Sequence, residues 1–139
     1  MLIFVANGLL KEYDARKRLK PAIINFITTD SFIVTTTYRQ YSYIKAICRS
    51  TLISMRFEEA IALYVKYKEL LMLYDSIAIH YEEGLSFRYA LLEERLIKSR
   101  IQAFIHRYKA IIPFLKKKDI ANYLHIEYDY FIRQYGKLL

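Results

Sequence analysis

The first 56 residues alternate short apolar runs with polar turn residues, a pattern that predicts β structure. The runs are rich in β-branched and aromatic side chains and recur about every ten residues, a spacing typical of a sandwich or barrel. The predicted strands cover residues 2–5, 9–13, 22–28, 32–38, 43–48 and 52–56. Asn7-Gly8 separates the first two strands, and this dipeptide predicts a two-residue hairpin turn between them.

From residue 57 onward the apolar residues recur at every third or fourth position, which predicts helices. A short amphipathic helix is predicted over residues 57–67, with Glu58 and Glu59 in its first turn, where the helix dipole favours carboxylates. A long helix is predicted to follow over residues 69–97. At 1.5 Å per residue its length would be roughly 43 Å, which is more than the core of a small domain requires.

One apolar stripe runs along the predicted long helix, with a mean step of about 3.7 residues. Its members are Leu70, Tyr74, Ile77, Tyr81, Leu85, Tyr89, Leu92 and Leu96. Because the helix is longer than one core requires, we expect this stripe to pack against a partner helix. Gly84 lies inside the helix, where glycine costs about 1 kcal/mol relative to alanine, and it indicates either a bend or a close contact with another helix.

The C-terminal segment predicts one further helix and then two short ones. The first covers residues 98–112 and ends before Pro113. Residues 116–139 contain two short amphipathic segments joined at a tight corner. Their apolar faces consist of Ile120, Ala121 and Leu124 in the first and Phe131, Tyr135 and Leu138 in the second. Such a pair is either a helix-turn-helix, whose second helix lies in the major groove of DNA, or an ordinary helical hairpin that closes a domain.

The formal net charge of +8 favours anionic partners such as nucleic acid. Residues 57–97 hold four basic and eight acidic side chains, whereas residues 98–139 hold nine basic and three acidic ones. The long helix is therefore a poor surface for DNA, and the C-terminal segment is a good one. Residues 1–56 also hold nine basic and three acidic side chains, so charge alone does not single out the C-terminus. Their basic cluster consists of Arg16, Lys17, Arg18 and Lys20.

The sequence disfavours several other classes of protein. Three scattered histidines and a single cysteine provide no spacing typical of a zinc site. Neither a P-loop nor a glycine-rich dinucleotide motif occurs, so we expect no enzyme and no cofactor. Cys48 lies in an alternating run and is expected to be a buried thiol in a reducing cytoplasmic environment. No apolar run reaches the length of a membrane span, so no membrane partner is expected.

The order of the predicted elements and several motifs resemble those of one protein family. The matching residues are Arg100, Tyr108, Lys118, Ile120-Ala121, Tyr123-Leu124, Ile126 and Arg133. They stand, without a gap, at the spacing of an R…Y-P segment, a K-x-I-A-x-Y-L-G-I motif and a T-L-S-R recognition helix. IFVANGLLKEY is similar to the strand–KGLLR–strand segment of the same family. These motifs resemble the Crp/Fnr superfamily of transcription regulators, in its branch with short C-termini.

The resemblance implies an α+β chain with three parts. Residues 1–68 would form a partial β jelly roll of the cyclic-nucleotide-binding type, followed by a short helix. Residues 69–97 would be the dimerisation helix, and residues 98–139 the helix-turn-helix domain that binds DNA. A complete family member has a further helix and several strands ahead of these, so we expect a truncated or reduced jelly roll.

Two local departures change what the resemblance implies. The region between Thr28 and Cys48 lacks the Gly-Glu and Arg-Ser/Thr pair that would hold a cyclic phosphate. We therefore expect no response to cyclic AMP, and the identity of any effector stays open. His125 occupies the position of the turn glycine, and histidine tolerates a positive φ better than branched residues do.

The residues predicted to contact DNA are Lys116, Lys117, Lys118, Tyr128, Asp129, Tyr130, Arg133, Gln134 and Lys137. Arg133 either binds guanine O6 and N7 or is a solvated or ion-paired arginine. Lys116, Lys117 and Lys118 either contact phosphates or form a solvated charged face. Asp129 either accepts from cytosine N4 or favours the helix N-terminus through the dipole. Because Tyr130-Phe131-Ile132 replaces Thr-Leu-Ser, the family's base preference does not carry over.

Two hypotheses from different classes follow from the sequence. The first is a regulator that binds double-stranded DNA as a homodimer. The second is a degenerate remnant of an effector domain that acts as a dimerising scaffold and does not read DNA. Salt-dependent binding to duplex DNA distinguishes the two.

Overall fold

The computed structural model describes residues 1–16, 19–35 and 41–138. The strands are β1 (Leu2–Asn7), β2 (Leu9–Asp14), β3 (Ala22–Thr28), β4 (Ser31–Val34), β5 (Ser42–Ala46) and β6 (Thr51–Met55). The helices are α1 (Phe57–Lys66), α2 (Leu70–Glu93), α3 (Ile97–Tyr108), α4 (Lys117–Tyr123) and α5 (Tyr128–Gly136), with a 3₁₀ turn over Ile112–Phe114. The predicted elements agree with these in type and order. The end of the predicted strand 32–38 and the basic residues Lys17 and Arg18 lie outside the described residues.

The strands form two antiparallel three-stranded sheets, in the orders β4-β1-β6 and β3-β2-β5. Since β1 and β2 lie in different sheets, the predicted hairpin at Asn7-Gly8 is wrong. Gly8 has a φ of +130°, and a Cβ at this position would collide with the side chain of Ser50. Glycine is suited to this position because the chain crosses between the sheets beside a close neighbour instead of reversing. The Gly8 N–H donates to Thr29 Oγ1 at 3.1 Å, which fastens the crossing to the turn after β3.

Helix α2 packs across β3 and β4, and its inner face enters a core formed with both sheets. Ile77, Tyr81 and Leu85 are buried in this core. These three members of the predicted dimer stripe therefore offer no surface to a second copy of the chain. The helix also ends at Glu93, and Leu96 lies outside it as the residue that precedes α3.

A second core joins β2 and β3 to the three C-terminal helices. Its buried members include Leu9, Ile23, Phe26, Leu91, Ile101, Phe104, Tyr108, Ile120, Tyr123, Leu124, Phe131 and Tyr135. The ring of Phe26 lies 5.2 Å from that of Tyr123 and 5.9 Å from that of Phe104, centroid to centroid. The packing therefore crosses the predicted boundary at residue 98, and the C-terminal helices share their core with the sheet.

Cys48 is exposed, so the buried thiol expected from the sequence is wrong. Strand β5 ends at Ala46, and Cys48 lies in the bend that follows, where the alternation of a strand no longer applies. Within the described ranges, no helix is both long enough and apolar enough to cross a membrane.

Candidate nucleic-acid interface

The terminal helix pair consists of α4, α5 and the corner between them, residues 124–127. Ile120, Ala121 and Leu124 are at most 2% exposed and hold α4 on the core, as their spacing predicts. The chain turns at His125, whose φ is +54° and whose N–H donates to the Asn122 carbonyl at 3.1 Å. A left-handed residue at this point agrees with the glycine of the resembling motif. The corner is therefore a defined turn that directs α5 away from α4.

The N-terminus of α5 is capped by Glu127, a residue that the sequence reasoning missed. Its carboxylate accepts from the backbone N–H groups of Asp129 (3.0 Å) and Tyr130 (2.9 Å). These hydrogen bonds hold the pKa of Glu127 below its usual range, so its charge is present at neutral pH. Glutamate is a less frequent cap than serine, threonine, aspartate or asparagine, and a search for those residues does not find it. In the sequence, the one sign of this cap is that Glu127 stands directly before the apolar repeat of α5.

The predicted DNA-contacting residues of the terminal helix pair lie largely in contact with solvent. All are exposed except Gln134, which is half-buried. Cationic groups of α4 lie over tyrosine rings of α5, with the Lys118 ammonium 5.6 Å from the Tyr128 centroid and that of Lys117 5.9 Å from Tyr135. The Arg133 guanidinium lies 5.7 Å from the Tyr130 ring. The exposed surface therefore carries cations beside the rings of Tyr128 and Tyr130, whereas Tyr135 belongs to the core.

One edge of the sheet fixes α4 in place through polar contacts. Asn122 Oδ1 accepts from the Ile23 N–H (2.7 Å) and Asn122 Nδ2 donates to the Pro21 carbonyl (3.0 Å), so its carboxamide pairs with the outer edge of β3. Lys11 on β2 forms an ion pair with Asp119 at 2.7 Å. Burial alone would lower the pKa of Lys11, but the hydrogen bonds and charge of its partners keep it above its ordinary value. Both contacts hold the lysine-bearing helix against the sheet.

Two arginines fix the C-terminal end of α4. Arg88, which is 4% exposed, donates through Nε to the Tyr123 carbonyl at 2.9 Å. Arg100 donates to the Glu94 carbonyl (2.6 Å) and to the Leu124 carbonyl (3.3 Å). The sequence reasoning identified Arg100 through its motif but assigned it no contact, and it missed Arg88. Helix carbonyls near a C-terminus lack partners inside the helix, and arginine supplies the missing donors.

The outer surface of α2 carries exposed apolar residues together with acidic ones such as Asp75 and Glu82. Of the predicted dimer stripe, Tyr89 is 62% exposed and Tyr74 is 37% exposed, while Leu70 and Leu92 are half-buried. Leu71, which the predicted stripe omits, is 44% exposed. Leu71 and Tyr89 are five turns apart on the same side of the helix, since each residue advances about 100°. A contact between two copies would therefore use a face rotated away from Ile77, Tyr81 and Leu85.

This architecture matches solved structures over nearly the whole chain. FixK2 from Bradyrhizobium japonicum gives a TM-score of 0.84 at 12% sequence identity, with 99% of this chain and 73% of that one covered. A protein from Eubacterium rectale assigned to the Crp/Fnr family of transcriptional regulators gives 0.74 at 12% identity, with 96% and 66% covered. The chain has the fold of Crp/Fnr-type proteins.

A third structure, TTHB099 from Thermus thermophilus, a transcriptional regulator of the CRP family, gives 0.70 at 12% identity, with 99% and 74% covered. The chain thus spans about two thirds to three quarters of the length of these structures. No protein-family model matches the sequence, and no curated protein matches it. At such low identity the match establishes the fold, and the α+β class expected from the sequence agrees with it.

Proposed function

We propose that this chain is a DNA-binding transcription regulator of the Crp/Fnr type. In this proposal α4 and α5 form a helix-turn-helix, α4 lies against the phosphate backbone and α5 enters the major groove. The observation that carries the proposal is the exposed surface of the terminal helix pair, where Lys118 of α4 lies over the exposed ring of Tyr128 on α5 and Arg133 lies beside that of Tyr130. The shared fold supports the same conclusion.

The residues would divide into two roles. Lys116, Lys117 and Lys118 would neutralise phosphates, which positions the protein without reading sequence. Arg133 would contact a base, because a guanidinium matches the two acceptors of guanine in the major groove. The Tyr130 ring beside Arg133 would limit the guanidinium's conformations before binding. Two copies would then place their α5 helices in major grooves about 34 Å apart.

Replacing the three lysines with alanine tests the proposal. Each phosphate contact contributes about 0.9 to the slope of log K against log salt, so the triple variant should lower the magnitude of that slope by about 2 to 3. The measurement is the fluorescence anisotropy of a labelled duplex over a series of salt concentrations. The matched control replaces Lys45, Lys66 and Lys68, which are exposed lysines outside the terminal helix pair, and it removes the same total charge.

The comparison of the two triple variants decides the outcome. The proposal holds if only the α4 variant flattens the slope. It fails if both variants lose the same affinity, because binding would then reflect net charge rather than this face. It fails too if the unsubstituted protein binds no duplex at moderate salt.

The proposed homodimer would use the exposed side of α2. Replacing Leu71 and Tyr89 together with aspartate should weaken association on the order of 100-fold, because each apolar side chain that is lost is worth about 1.5–3 kcal/mol when buried. Met72→Asp is the control, since this residue is 80% exposed and lies about 100° around the helix from Leu71. Sedimentation equilibrium measures the dissociation constant. An unchanged constant in the double variant excludes this interface, whereas Leu85 is unsuitable for the test because it belongs to the chain's own core.

A dimerising scaffold without DNA binding is the second candidate, and one observation favours it. A groove of about 960 Å³ lies between α1 and the first turns of α2, and it is lined by apolar residues such as Phe57, Ile61, Tyr64 and Leu73. Exposed apolar surface of this extent is typical of a contact with another protein. The scaffold explanation is correct if the protein self-associates and yet binds duplex DNA no more tightly than its α4 triple variant does.

A further inference from the structure

A second cleft lies farther along α2 than this groove, between β3, α2 and the C-terminal end of α3. Its volume is about 390 Å³, which is within the range of sites for small molecules. Its walls include the rings of Phe26, Tyr81 and Tyr108. The cleft is separate from the solvent face of the terminal helix pair, and the proposed function does not use it.

The base of the cleft holds a buried polar group. Asn25 is 5% exposed, and no described residue forms a hydrogen bond with its carboxamide. Gly84 faces it from α2, where a Cβ would stand only 2.7 Å from Asn25 Oδ1. The close neighbour of Gly84 is therefore a residue of strand β3, whereas the sequence indicated a helix contact or a bend. Buried amides in proteins are almost always hydrogen-bonded, so one that opens into a cleft is suited to a ligand.

The rim of the cleft carries a cation. The Arg107 guanidinium stacks 4.5 Å from the Phe87 ring centroid and 5.8 Å from that of Tyr108. Within the described part of the chain Arg107 forms no ion pair, and no carboxylate lines the cleft. His80 also lines it, and its Nδ1 lies 3.5 Å from the carboxylate of Glu83. A stacked guanidinium has its orientation set in advance and keeps its N–H donors available for an anion.

We propose that this cleft binds a small organic carboxylate. The Arg107 guanidinium would bind the carboxylate through two parallel hydrogen bonds, and the Asn25 carboxamide would pair with a second polar group on the ligand. We expect the rest of the ligand to be flat, because aromatic rings form the walls of the cleft.

The cleft is connected to the terminal helix pair through one side chain. Tyr108 lines the cleft, and its hydroxyl shares a hydrogen bond of 3.3 Å with the hydroxyl of Tyr123 on α4. A ligand against Tyr108 would therefore act on the helix that carries the three lysines. This consequence rests on the proposed function, whereas binding of the carboxylate does not.

The test uses 4-hydroxybenzoate as the probe and the full ¹⁵N-labelled chain without DNA. Saturable NMR shifts are expected at the Asn25 side-chain NH₂ and at Arg107 Nε–H. The neutral analogue 4-hydroxybenzamide should bind at least about tenfold more weakly, because it cannot pair with the guanidinium. Arg107→Ala should weaken binding of 4-hydroxybenzoate to a similar degree, and Arg95→Ala, an exposed arginine outside the cleft, should not change it.

The outcomes separate the cleft from the DNA function. The proposal is overturned if 4-hydroxybenzoate gives no saturable shifts, if the benzamide binds equally well, or if Arg107→Ala and Arg95→Ala behave alike. Asn25→Leu provides a second variant, and its ¹⁵N spectrum reports whether it folds. If the unsubstituted protein shows the carboxylate shifts but binds no duplex DNA, the proposed function is contradicted and the cleft site still holds.

Discussion

Replacing Tyr123 with alanine is expected to lower the free energy of unfolding by about 4 kcal/mol. Tyr123 is fully buried, and its ring centroid lies 5.2 Å from that of Phe26, 5.3 Å from Phe104 and 5.8 Å from Tyr108. Removing the ring leaves a cavity among rings that belong to β3 and α3. The same burial raises the pKa of the Tyr123 hydroxyl, which therefore stays protonated. Chemical denaturation followed by circular dichroism measures the loss.

Tyr123→Phe is the matched control, because it keeps the ring and removes only the hydroxyl bonded to Tyr108. Its cost should be about 1 kcal/mol, the typical contribution of one hydrogen bond. The chain contains no tryptophan, so tyrosine fluorescence provides a second probe. With one core shared by sheet and helices, both probes should report a single transition. A variant whose C-terminal helices unfold while the sheet keeps its signal would contradict this description.

Replacing Arg88 with alanine is the second large effect, with an expected loss of about 3 kcal/mol in unfolding free energy. Arg88 is buried, its Nε–H donates to the Tyr123 carbonyl, and its guanidinium lies 5.6 Å from the Tyr123 ring. The alanine variant would leave that carbonyl without its donor at the end of α4 and open a cavity beside the ring. Urea denaturation measures the change.

Arg88→Lys separates geometry from charge. Lysine keeps the positive charge but lacks the planar fork, so it should recover less than half of the lost stability. Glu93→Ala, on the exposed end of the same helix, should change stability by no more than about 0.5 kcal/mol. If Arg88→Lys is as stable as the unsubstituted protein, charge alone accounts for the role of Arg88. The hydrogen bond to Tyr123 would then be incidental.

The type and order of the elements were predictable because strands and helices leave different apolar periods in a sequence. Strand β3 was predicted with its observed bounds, and α1 differs from its prediction by one residue at the end. The pairing of strands was not predictable from the local turn signal. Asn7-Gly8 favours a hairpin, but β1 and β2 each pair with distant strands, and those non-local contacts outweigh the turn preference.

The long helix illustrates the limit of a periodic pattern. A stripe at helical spacing indicates that one face of α2 is covered, but it does not identify what covers it. Ile77, Tyr81 and Leu85 are covered by the chain's own sheets, while Tyr89 remains exposed. The apolar spacing along the sequence is the same for the buried and for the exposed members of the stripe.

The candidate interface was predictable only in its outer residues. Lysines and an arginine on short helices, such as Lys118 and Arg133, are visible in sequence as charge on the polar side of an apolar repeat. The contacts that hold the pair in place were not visible, because they join residues far apart in the chain. Asn122 meets Ile23, and Lys11 meets Asp119, across about a hundred positions.

The carboxamide of Asn122 on the edge of β3 has a consequence for protein engineering. A C-terminal segment can be exchanged between proteins as a cassette only if it carries its own contacts. Moving residues 98–139 to another protein would strip the cover from Phe26 and leave the Ile23 N–H without its acceptor. A working chimera would have to carry Pro21–Phe26 along with the cassette. The transferable unit of this protein is therefore discontinuous in sequence, one strand together with the C-terminal helices.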